Sequence, residues 1–125
     1  MVSGIGIDLV YIPRVKKLLE RWGEEFKGRL FTHVEVNYCE KKKLSHYEFA
    51  AKIAAKEAFT KALGLGFRGG IKWQDIEVVN EKSGKPIINL YGKAKQLCKE
   101  RNINKIMISL SHDQYYATAV VILEI

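Results

Sequence analysis

The sequence predicts an α+β fold, in which a small sheet that is antiparallel in at least one part packs with one long helix and several short helices. Three observations favour this class. Apolar residues alternate at strand spacing near both ends of the chain, helical spacing dominates the first half, and two pairs of short apolar runs enclose turn residues. We expect the 125 residues to form one domain, because no linker, repeat or low-complexity segment divides them.

Residues 4–10 predict the first strand, followed by a first helix. The strand presents three large apolar side chains on one face and two glycines and an acid on the other: Ile5, Ile7 and Leu9 against Gly4, Gly6 and Asp8. The helix begins at Pro13, which is favoured in a first turn, and its apolar spacing ends at Gly23.

Two more helices follow in the first half of the chain. The capping box formed by Thr32 and Glu35 predicts the start of the second helix, which is expected to carry the basic run Lys41–Lys43. The third extends from about residue 45 to Leu63 and closes at Gly64, and its many alanines give it a high helix propensity.

The second half predicts two hairpins around one short helix. Residues 64–70 form a glycine-rich loop, and residues 76–79 and 86–90 form a hairpin around the turn Ser83-Gly84-Lys85. Residues 92–101 form the helix, and residues 106–111 and 116–123 form the last two strands, joined at His112-Asp113.

Charge and composition limit the possible partners and compartment. The 21 Lys and Arg residues exceed the 14 Asp and Glu residues by seven, so a nucleic acid, an anionic membrane surface, a phosphorylated small molecule or an acidic protein is expected. No apolar run is long enough for a membrane span and the first residues do not resemble a signal peptide, so we expect a cytoplasmic protein. Cys39 and Cys98 lack companions at metal-ligand spacing and are interpreted as ordinary thiols.

Two carboxylates and a lysine are the first candidates for chemistry. Asp8 follows two glycines that allow another backbone or a ligand to come close, although it would equally serve as the cap of a turn. Glu57 continues an apolar stripe of the third helix one turn before Lys61, and an ordinary surface ion pair would explain the same spacing. Together, Asp8 and Glu57 supply the one or two carboxylates that Mg²⁺ prefers.

Two other motifs are less specific. His112 follows a strand and is a candidate general base, phosphate contact or turn residue; a Ser-His-Asp triad is excluded because Ser111, His112 and Asp113 are sequence neighbours. The glycines after residue 63 match no phosphate-binding fingerprint, and they follow the C-terminus of a helix, whereas backbone anion sites belong to N-termini. We interpret them as a helix cap and a loop.

Three segments, taken in order, carry a family resemblance: Gly4-Ile5-Gly6-Ile7-Asp8, residues 49–64, and Ser109-Leu110-Ser111-His112-Asp113. Over essentially its whole length the chain resembles the holo-[acyl-carrier-protein] synthases, which are small bacterial 4'-phosphopantetheinyl transferases. The helical segment, with Lys-Glu-Ala at 56–58 and Lys-Ala-x-Gly at 61–64, is the most specific of the three.

The resemblance implies the 4'-phosphopantetheinyl transferase fold and a step of fatty acid biosynthesis. Phosphopantetheine would pass from coenzyme A to a serine of apo-acyl carrier protein, releasing adenosine 3',5'-bisphosphate. Asp8 and Glu57 would hold Mg²⁺, Lys61 would neutralise phosphate charge, and the serine proton would pass to Glu57 or a metal-bound water rather than to His112. The family's homotrimer, with sites between subunits, is expected as well.

The remaining roles are also implied by the resemblance. Contacts to coenzyme A are expected from six further residues: Lys52, Thr60, Gly64, Lys85, Pro86 and His112. Many family members carry arginine where this chain has Lys52, so a point contact would replace a bidentate one there. Arg14 and Arg21, on the exposed face of the first helix, would bind the acidic carrier protein.

Two other functions are compatible with parts of the sequence. The net charge and the run Lys41–Lys43 would suit a basic nucleic-acid-binding domain, but no nucleic-acid-binding motif appears and no nucleic-acid or membrane partner is expected. A metal-dependent phosphohydrolase would use the same carboxylates with water as the acceptor. The release of adenosine bisphosphate without a carrier protein would distinguish that enzyme from a transferase.

Overall fold

The structure, a computed structural model, describes residues 1–125 and has the mixed helix and antiparallel-sheet architecture that the sequence predicts. The helices are α1 (Ile12–Leu30), α2 (His33–Glu40), α3 (Ser45–Leu63) and α4 (Gly92–Glu100). The strands are β1 (Val2–Tyr11), β2 (Ile76–Asn80), β3 (Pro86–Leu90), β4 (Lys105–His112) and β5 (Tyr116–Glu124), with a 3-10 turn at Trp73–Asp75.

Two antiparallel sheets are formed. The larger has the order β1-β5-β4, in which Asp8 lies opposite Ala119 and Ala119 lies opposite Leu110. The smaller consists of β2 and β3 alone, paired from Ile76 opposite Leu90 to Asn80 opposite Pro86. Both predicted hairpins are therefore confirmed, because their turn residues and apolar alternation are local signals.

The long helix α3 lies at the centre of the molecule, against the larger sheet on one side and β2 on another. Its buried surface is mostly small, with Ala54, Ala55 and Ala58 all fully buried. Small side chains let the backbones of helix and sheet come close. The helix ends where the sequence predicts, at Gly64, whose φ of 81° is a left-handed cap that glycine adopts without strain.

The capping box of α2 is confirmed. The Glu35 amide donates to Thr32 Oγ1 at 3.3 Å, and the Thr32 amide donates to Glu35 Oε1 at 2.9 Å. The basic run Lys41–Lys43 does not belong to this helix, which ends at Glu40, so that expectation was wrong. No apolar residue after Cys39 continues the buried face through the basic run, and the chain turns there before α3 begins.

The helix α1 does not end at Gly23, in contrast to the sequence prediction. Gly23 has φ 47° and ψ −121°, which breaks the helical path, but the helix resumes and continues to Leu30. The second segment forms because Phe26 and Leu30 pack against the same buried cluster as Leu19 from the first segment. Gly23 is therefore a kink inside α1. None of the helices is both long and apolar enough to cross a membrane.

The small, polar face of β1 is buried, and its large apolar face is exposed. The face with the glycines and Asp8 packs against α3, whereas Ile5, Ile7 and Leu9 are 65%, 65% and 64% exposed. A large apolar strand face that the chain itself leaves uncovered indicates contact with another surface.

Candidate active site

Asp8 reaches α3 because two glycines precede it on the same face of β1. A Cβ atom at Gly6 would overlap the carbonyl oxygen of Ala58, and one at Gly4 would overlap that of Ala62. The strand therefore lies directly on the helix backbone, running in the opposite direction along it. Two residues further along β1, Asp8 is only 7% exposed and faces the turn of α3 that carries Glu57 and Lys61.

Lys61 and Asp8 form an ion pair at this contact. Lys61 Nζ donates to Asp8 Oδ1 at 2.8 Å and to the Ile7 carbonyl at 3.2 Å. The hydrogen bond to Asp8 raises the pKa of Lys61, so the ammonium stays charged at neutral pH. The Lys61 side chain is 55% exposed, which leaves the cation accessible to an anionic ligand. The second carboxylate oxygen of Asp8, Oδ2, is buried without a hydrogen-bond partner.

Glu57 lies beside Asp8 and shares its environment. Burial and the negative charge of the neighbouring Asp8 raise the pKa of Glu57 to about 7, and Lys61 opposes this effect. The Glu57 carboxyl therefore keeps its proton at slightly acid pH in the free protein. The sequence prediction that Asp8, Glu57 and Lys61 form a pair of acids with a cation is consistent with this geometry.

The raised pKa of Glu57 gives an expected pH dependence of stability. The folded protein binds this proton more tightly than the unfolded chain, where the carboxyl has its ordinary pKa of 4.5, so Glu57 makes the protein less stable as pH rises from about 4.5 to 7. We expect the thermal midpoint of the metal-free protein to fall over this range more steeply in the wild type than in Glu57→Gln. Identical pH profiles for the two proteins would contradict the raised pKa of Glu57.

The donor set of this cluster fits a magnesium ion. Asp8 Oδ2 is an orphaned buried oxygen, and Glu57 adds a second carboxylate beside it. Mg²⁺ binds proteins through one or two carboxylates and takes its other ligands from water and phosphate oxygens. No group of three or more His, Cys, Asp or Glu side chains is gathered anywhere in the structure, which speaks against an all-protein cage.

Thr60 and Gly64 follow Glu57 along α3. Thr60 is 2% exposed and its hydroxyl donates to the Glu57 carbonyl at 2.8 Å, so it is bound within the helix. Gly64 is exposed at the end of the helix, one turn beyond Lys61. Of the two predicted cofactor contacts, Gly64 offers accessible backbone next to the cluster, whereas the Thr60 side chain does not.

Lys52 is not brought to the carboxylates. It lies nine residues before Lys61, about two and a half helical turns, and therefore on the opposite face of α3. Its side chain is buried, with Nζ donating to the Val78 carbonyl at 2.7 Å and lying 4.7 Å from the ring centre of Tyr38. An anionic ligand would have to break these contacts to reach it. In this structure Lys52 holds β2 against α3.

His112 also lies apart from the carboxylates of its own chain. Its exposed ring stacks on Tyr47 with 5.4 Å between ring centres. Tyr47 is ten residues before Glu57, which is about 15 Å along the helix axis. His112 therefore lies near the N-terminal end of α3, whereas the carboxylates lie in its C-terminal half.

The turn that carries Lys85 and Pro86 lies toward the same end of α3 as His112. Lys56 Nζ donates to the Ile76 carbonyl and Lys52 Nζ to the Val78 carbonyl, so β2 runs toward the N-terminus of the helix. The turn follows β2 and projects further in that direction. Within one chain, the predicted site residues thus form two groups at opposite ends of α3.

Arg14 and Arg21 are exposed on α1, as predicted, and neither takes part in an ion pair. The guanidinium of Arg21 lies 5.1 Å from the ring centre of Trp22. Beside them a groove of about 640 Å³ separates α1 from the 3-10 turn, lined by apolar, basic and acidic side chains that include Leu18, Trp22, Glu25, Arg29 and Lys72.

Sequence reasoning missed the role of Lys56 and Glu35. Lys56 Nζ and Glu35 Oε1 are 2.9 Å apart, and both side chains are fully buried. The capping box accounted for Glu35 by local contacts alone, and the 21 residues that separate it from Lys56 give no pairing signal. Only a lysine directly before Glu57 in a helix otherwise rich in alanine pointed to an unusual environment.

Comparison with known proteins agrees with this geometry. The sequence profile of the 4'-phosphopantetheinyl transferase superfamily matches residues 4–121. The holo-[acyl-carrier-protein] synthases of Geobacter metallireducens and Syntrophus aciditrophicus are 49% and 47% identical to the chain over 124 residues, covering 99% of it and 98% and 97% of the relatives.

Solved structures agree in fold. The crystal structure of holo-[acyl-carrier-protein] synthase from Neisseria meningitidis superposes with a TM-score of 0.90 at 33% identity, covering 99% of both chains. The Helicobacter pylori enzyme in complex with coenzyme A gives 0.85 at 32% identity, covering 96% of this chain and 99% of that one. Since the family profile, these relatives and these structures all match over nearly the whole chain, it belongs to the holo-[acyl-carrier-protein] synthase family of 4'-phosphopantetheinyl transferases.

Proposed function

We propose that this protein transfers 4'-phosphopantetheine from coenzyme A to a serine of apo-acyl carrier protein, with Mg²⁺, and releases adenosine 3',5'-bisphosphate. The observation that carries the proposal is the meeting of Asp8, Glu57 and Lys61, with one buried carboxylate oxygen free of protein partners. Coenzyme A as donor is supported by the Helicobacter pylori relative, whose structure contains it. Residues 1–125 would act as one catalytic domain.

The side chains of the cluster suit the transfer of a phosphoryl group. The serine oxygen attacks the β-phosphate, the bond from that phosphorus to the bridging oxygen breaks, and the bisphosphate leaves with the electron pair. Asp8 and Glu57 would hold Mg²⁺, which supplies positive charge to the pyrophosphate oxygens when bound. The exposed ammonium of Lys61 would exchange its contact with Asp8 for a phosphate oxygen. The serine proton would go to Glu57, through a carboxylate oxygen that does not hold the metal.

We infer that the complete site forms between copies of the chain in a homotrimer. Coenzyme A is a long ligand, and the predicted contacts Lys85, Pro86 and His112 lie at the other end of α3 from the carboxylates. A neighbouring copy would bring its own His112 group to this chain's Asp8 and Glu57. The exposed apolar face of β1 supports such an assembly, because a stable oligomer buries surfaces of this kind.

Replacing Ile7 with lysine tests the trimer. Wild-type protein is expected to have a solution mass of three times 14.3 kDa by light scattering, and Ile7→Lys to have a smaller mass and little transfer activity. Val34→Lys is the matched control, since Val34 is an apolar residue that is 57% exposed on α2 instead of β1. A trimeric Ile7→Lys protein, or a monomeric wild type, would argue against this interface.

The carrier protein would dock on α1. Arg14 and Arg21 form no ion pair within the chain, and the adjoining groove offers apolar side chains, Arg29 and Lys72, together with one acid, Glu25, to an acidic, amphipathic partner. Such charges speed the encounter of the two proteins more than they tighten the complex. On this proposal the carrier would bind on α1, whereas the phosphate-handling cluster would lie between β1 and α3.

One incubation tests the proposed function. With coenzyme A, Mg²⁺ and apo-acyl carrier protein, the protein is expected to add the mass of one phosphopantetheine group to the carrier. A carrier of unchanged mass would reject the transferase. Release of adenosine bisphosphate in the absence of carrier would instead indicate a phosphohydrolase, and salt-dependent binding of random DNA without transfer would indicate a nucleic-acid-binding domain.

A further inference from the structure

The strand β2 has one edge that no other strand covers. It pairs only with β3, so the backbone groups on its other side need partners from elsewhere. Three buried side chains supply them. Lys56 donates to the Ile76 carbonyl, Glu35 Oε2 accepts from the Val78 amide at 2.8 Å, and Lys52 Nζ donates to the Val78 carbonyl at 2.7 Å. Charged side chains thus take the place of a neighbouring strand.

The ion pair between Lys56 and Glu35 is fully hydrogen-bonded in spite of its burial. Lys56 Nζ also donates to the Trp73 carbonyl at 3.0 Å, and Glu35 Oε1 also accepts from the Thr32 amide at 2.9 Å. Burying two charges is costly unless they are paired and their remaining donors and acceptors are satisfied. The bonds of Lys56 lead from α3 to α2, to the 3-10 turn and to β2, and those of Glu35 lead from α2 to its own N-cap and to β2.

One member of this ion pair is adjacent in sequence to the proposed catalytic cluster. Lys56 directly precedes Glu57, and successive residues of a helix point about 100° apart. Within the same turn of α3, the Lys56 side chain therefore binds β2 and the Glu57 side chain faces Asp8. The buried alanines Ala54, Ala55 and Ala58 are too small to interlock with a neighbour. The rotation of α3 therefore depends on its longer buried side chains, which are Phe49, Ile53, Phe59 and Leu63 in the core and Lys52 and Lys56 at β2.

We propose that Lys56 and Glu35 are positioning residues of the transferase site, which hold the rotation of α3 so that Glu57 faces Asp8. The proposal rests on the proposed function, because it assigns the positioned group a role in transfer. Neither residue touches the substrates. The strand β1 contacts this turn of α3 on one side. Lys56 and Glu35 fix the same turn to β2 and α2 on the opposite side.

The test removes the ion pair between Lys56 and Glu35 without leaving either partner's charge buried and unpaired, while the bond from Lys52 to the Val78 carbonyl remains. In the double variant Glu35→Gln, Lys56→Met, the amide at position 35 still accepts from the Val78 amide, whereas the bonds from position 56 are lost. At a temperature where the variant is folded, kcat is expected to fall about tenfold. The KM for carrier protein should stay unchanged, because α1 is not altered. Hydrogen exchange of the amides of residues 58–61 should become about tenfold faster.

A matched control separates positioning from stability. Leu97→Ala removes a partly buried side chain of α4 from the core, away from the pair, and should lower the thermal midpoint while leaving kcat at the wild-type value. A milder variant, Glu35→Gln with Lys56→Gln, keeps hydrogen-bonding groups at both positions and should lower kcat about threefold. This variant is measured instead if the first one does not fold.

Wild-type kcat in either folded variant would overturn the proposal, as would an equal fall of kcat in Leu97→Ala. The experiment distinguishes a failure of the proposed function from a failure of the positioning role. If the wild type transfers no phosphopantetheine, the proposed function is wrong, and the exchange of residues 58–61 still shows whether the pair restrains α3.

Discussion

Replacing Glu57 with glutamine is expected to lower the rate of phosphopantetheine transfer by about a thousandfold, the usual cost of removing one group that stabilises charge in a transition state. The substitution keeps the size of the side chain and removes both its negative charge and its capacity to accept a proton. Asp8 would remain as the single carboxylate of the cluster, with Lys61 still paired to it. The measurement is the initial rate of mass gain by the apo-carrier at saturating coenzyme A.

Glu48→Gln is the control for this variant. Glu48 lies on the same helix, nine residues earlier and therefore on the opposite face, so its loss should leave the rate unchanged. The Glu57 variant should be folded and no longer places a second negative charge beside Asp8, so its thermal midpoint should not fall below that of the wild type at pH 7. A folded Glu57→Gln protein with wild-type turnover would remove this residue from the mechanism.

Replacing Gly6 with alanine is expected to lower the free energy of unfolding by about 3 kcal/mol, the upper range for overpacking a well-packed site. The added methyl group would overlap the Ala58 carbonyl oxygen, and backbone atoms cannot move aside as a flexible side chain can. The strand must therefore move away from α3, which also separates Asp8 from Glu57. Chemical denaturation measures the free energy of unfolding. The transfer assay measures the loss of rate that is expected when Asp8 moves away from Glu57.

Gly28→Ala is the matched glycine control. Gly28 lies in α1 with no atom within 4 Å of an added Cβ and no left-handed φ, so alanine should stabilise the protein by about 0.5–1 kcal/mol. If Gly6→Ala proved as stable as the wild type, β1 could not lie directly on the α3 backbone as described. Opposite signs for the two substitutions would show that the close approach, rather than the glycine residue, decides the effect.

Most of the fold followed from local signals. The capping box, the left-handed Gly64 and the turn residues of both hairpins act within a few residues, so the sequence could place them. Gly23 was misinterpreted for the opposite reason. Its backbone does leave the helical region, but the helix resumes because Phe26 and Leu30 find the buried cluster, and that cluster forms only when distant segments meet.

The candidate site divides in the same manner. Asp8, Glu57 and Lys61 could be proposed from residue type and spacing, and the structure places them together because Gly4 and Gly6 remove the atoms that would hold the strand off the helix. Lys52 had the right charge but lies on the far face of α3, where the uncovered edge of β2 requires a donor. Residue type alone does not distinguish a phosphate contact from a strand contact.

By itself the sequence determined the fold class, the helix caps and the hairpins, and it supplied the three candidate residues of the proposed cluster, since propensity, turn chemistry and family motifs all act on short segments. Only the tertiary structure decided which face of β1 is buried, that Glu35 and Lys56 pair, and that His112 lies at the other end of α3 from Glu57. These facts depend on contacts between residues distant in the chain, where burial and hydrogen-bond satisfaction are settled by the whole packing.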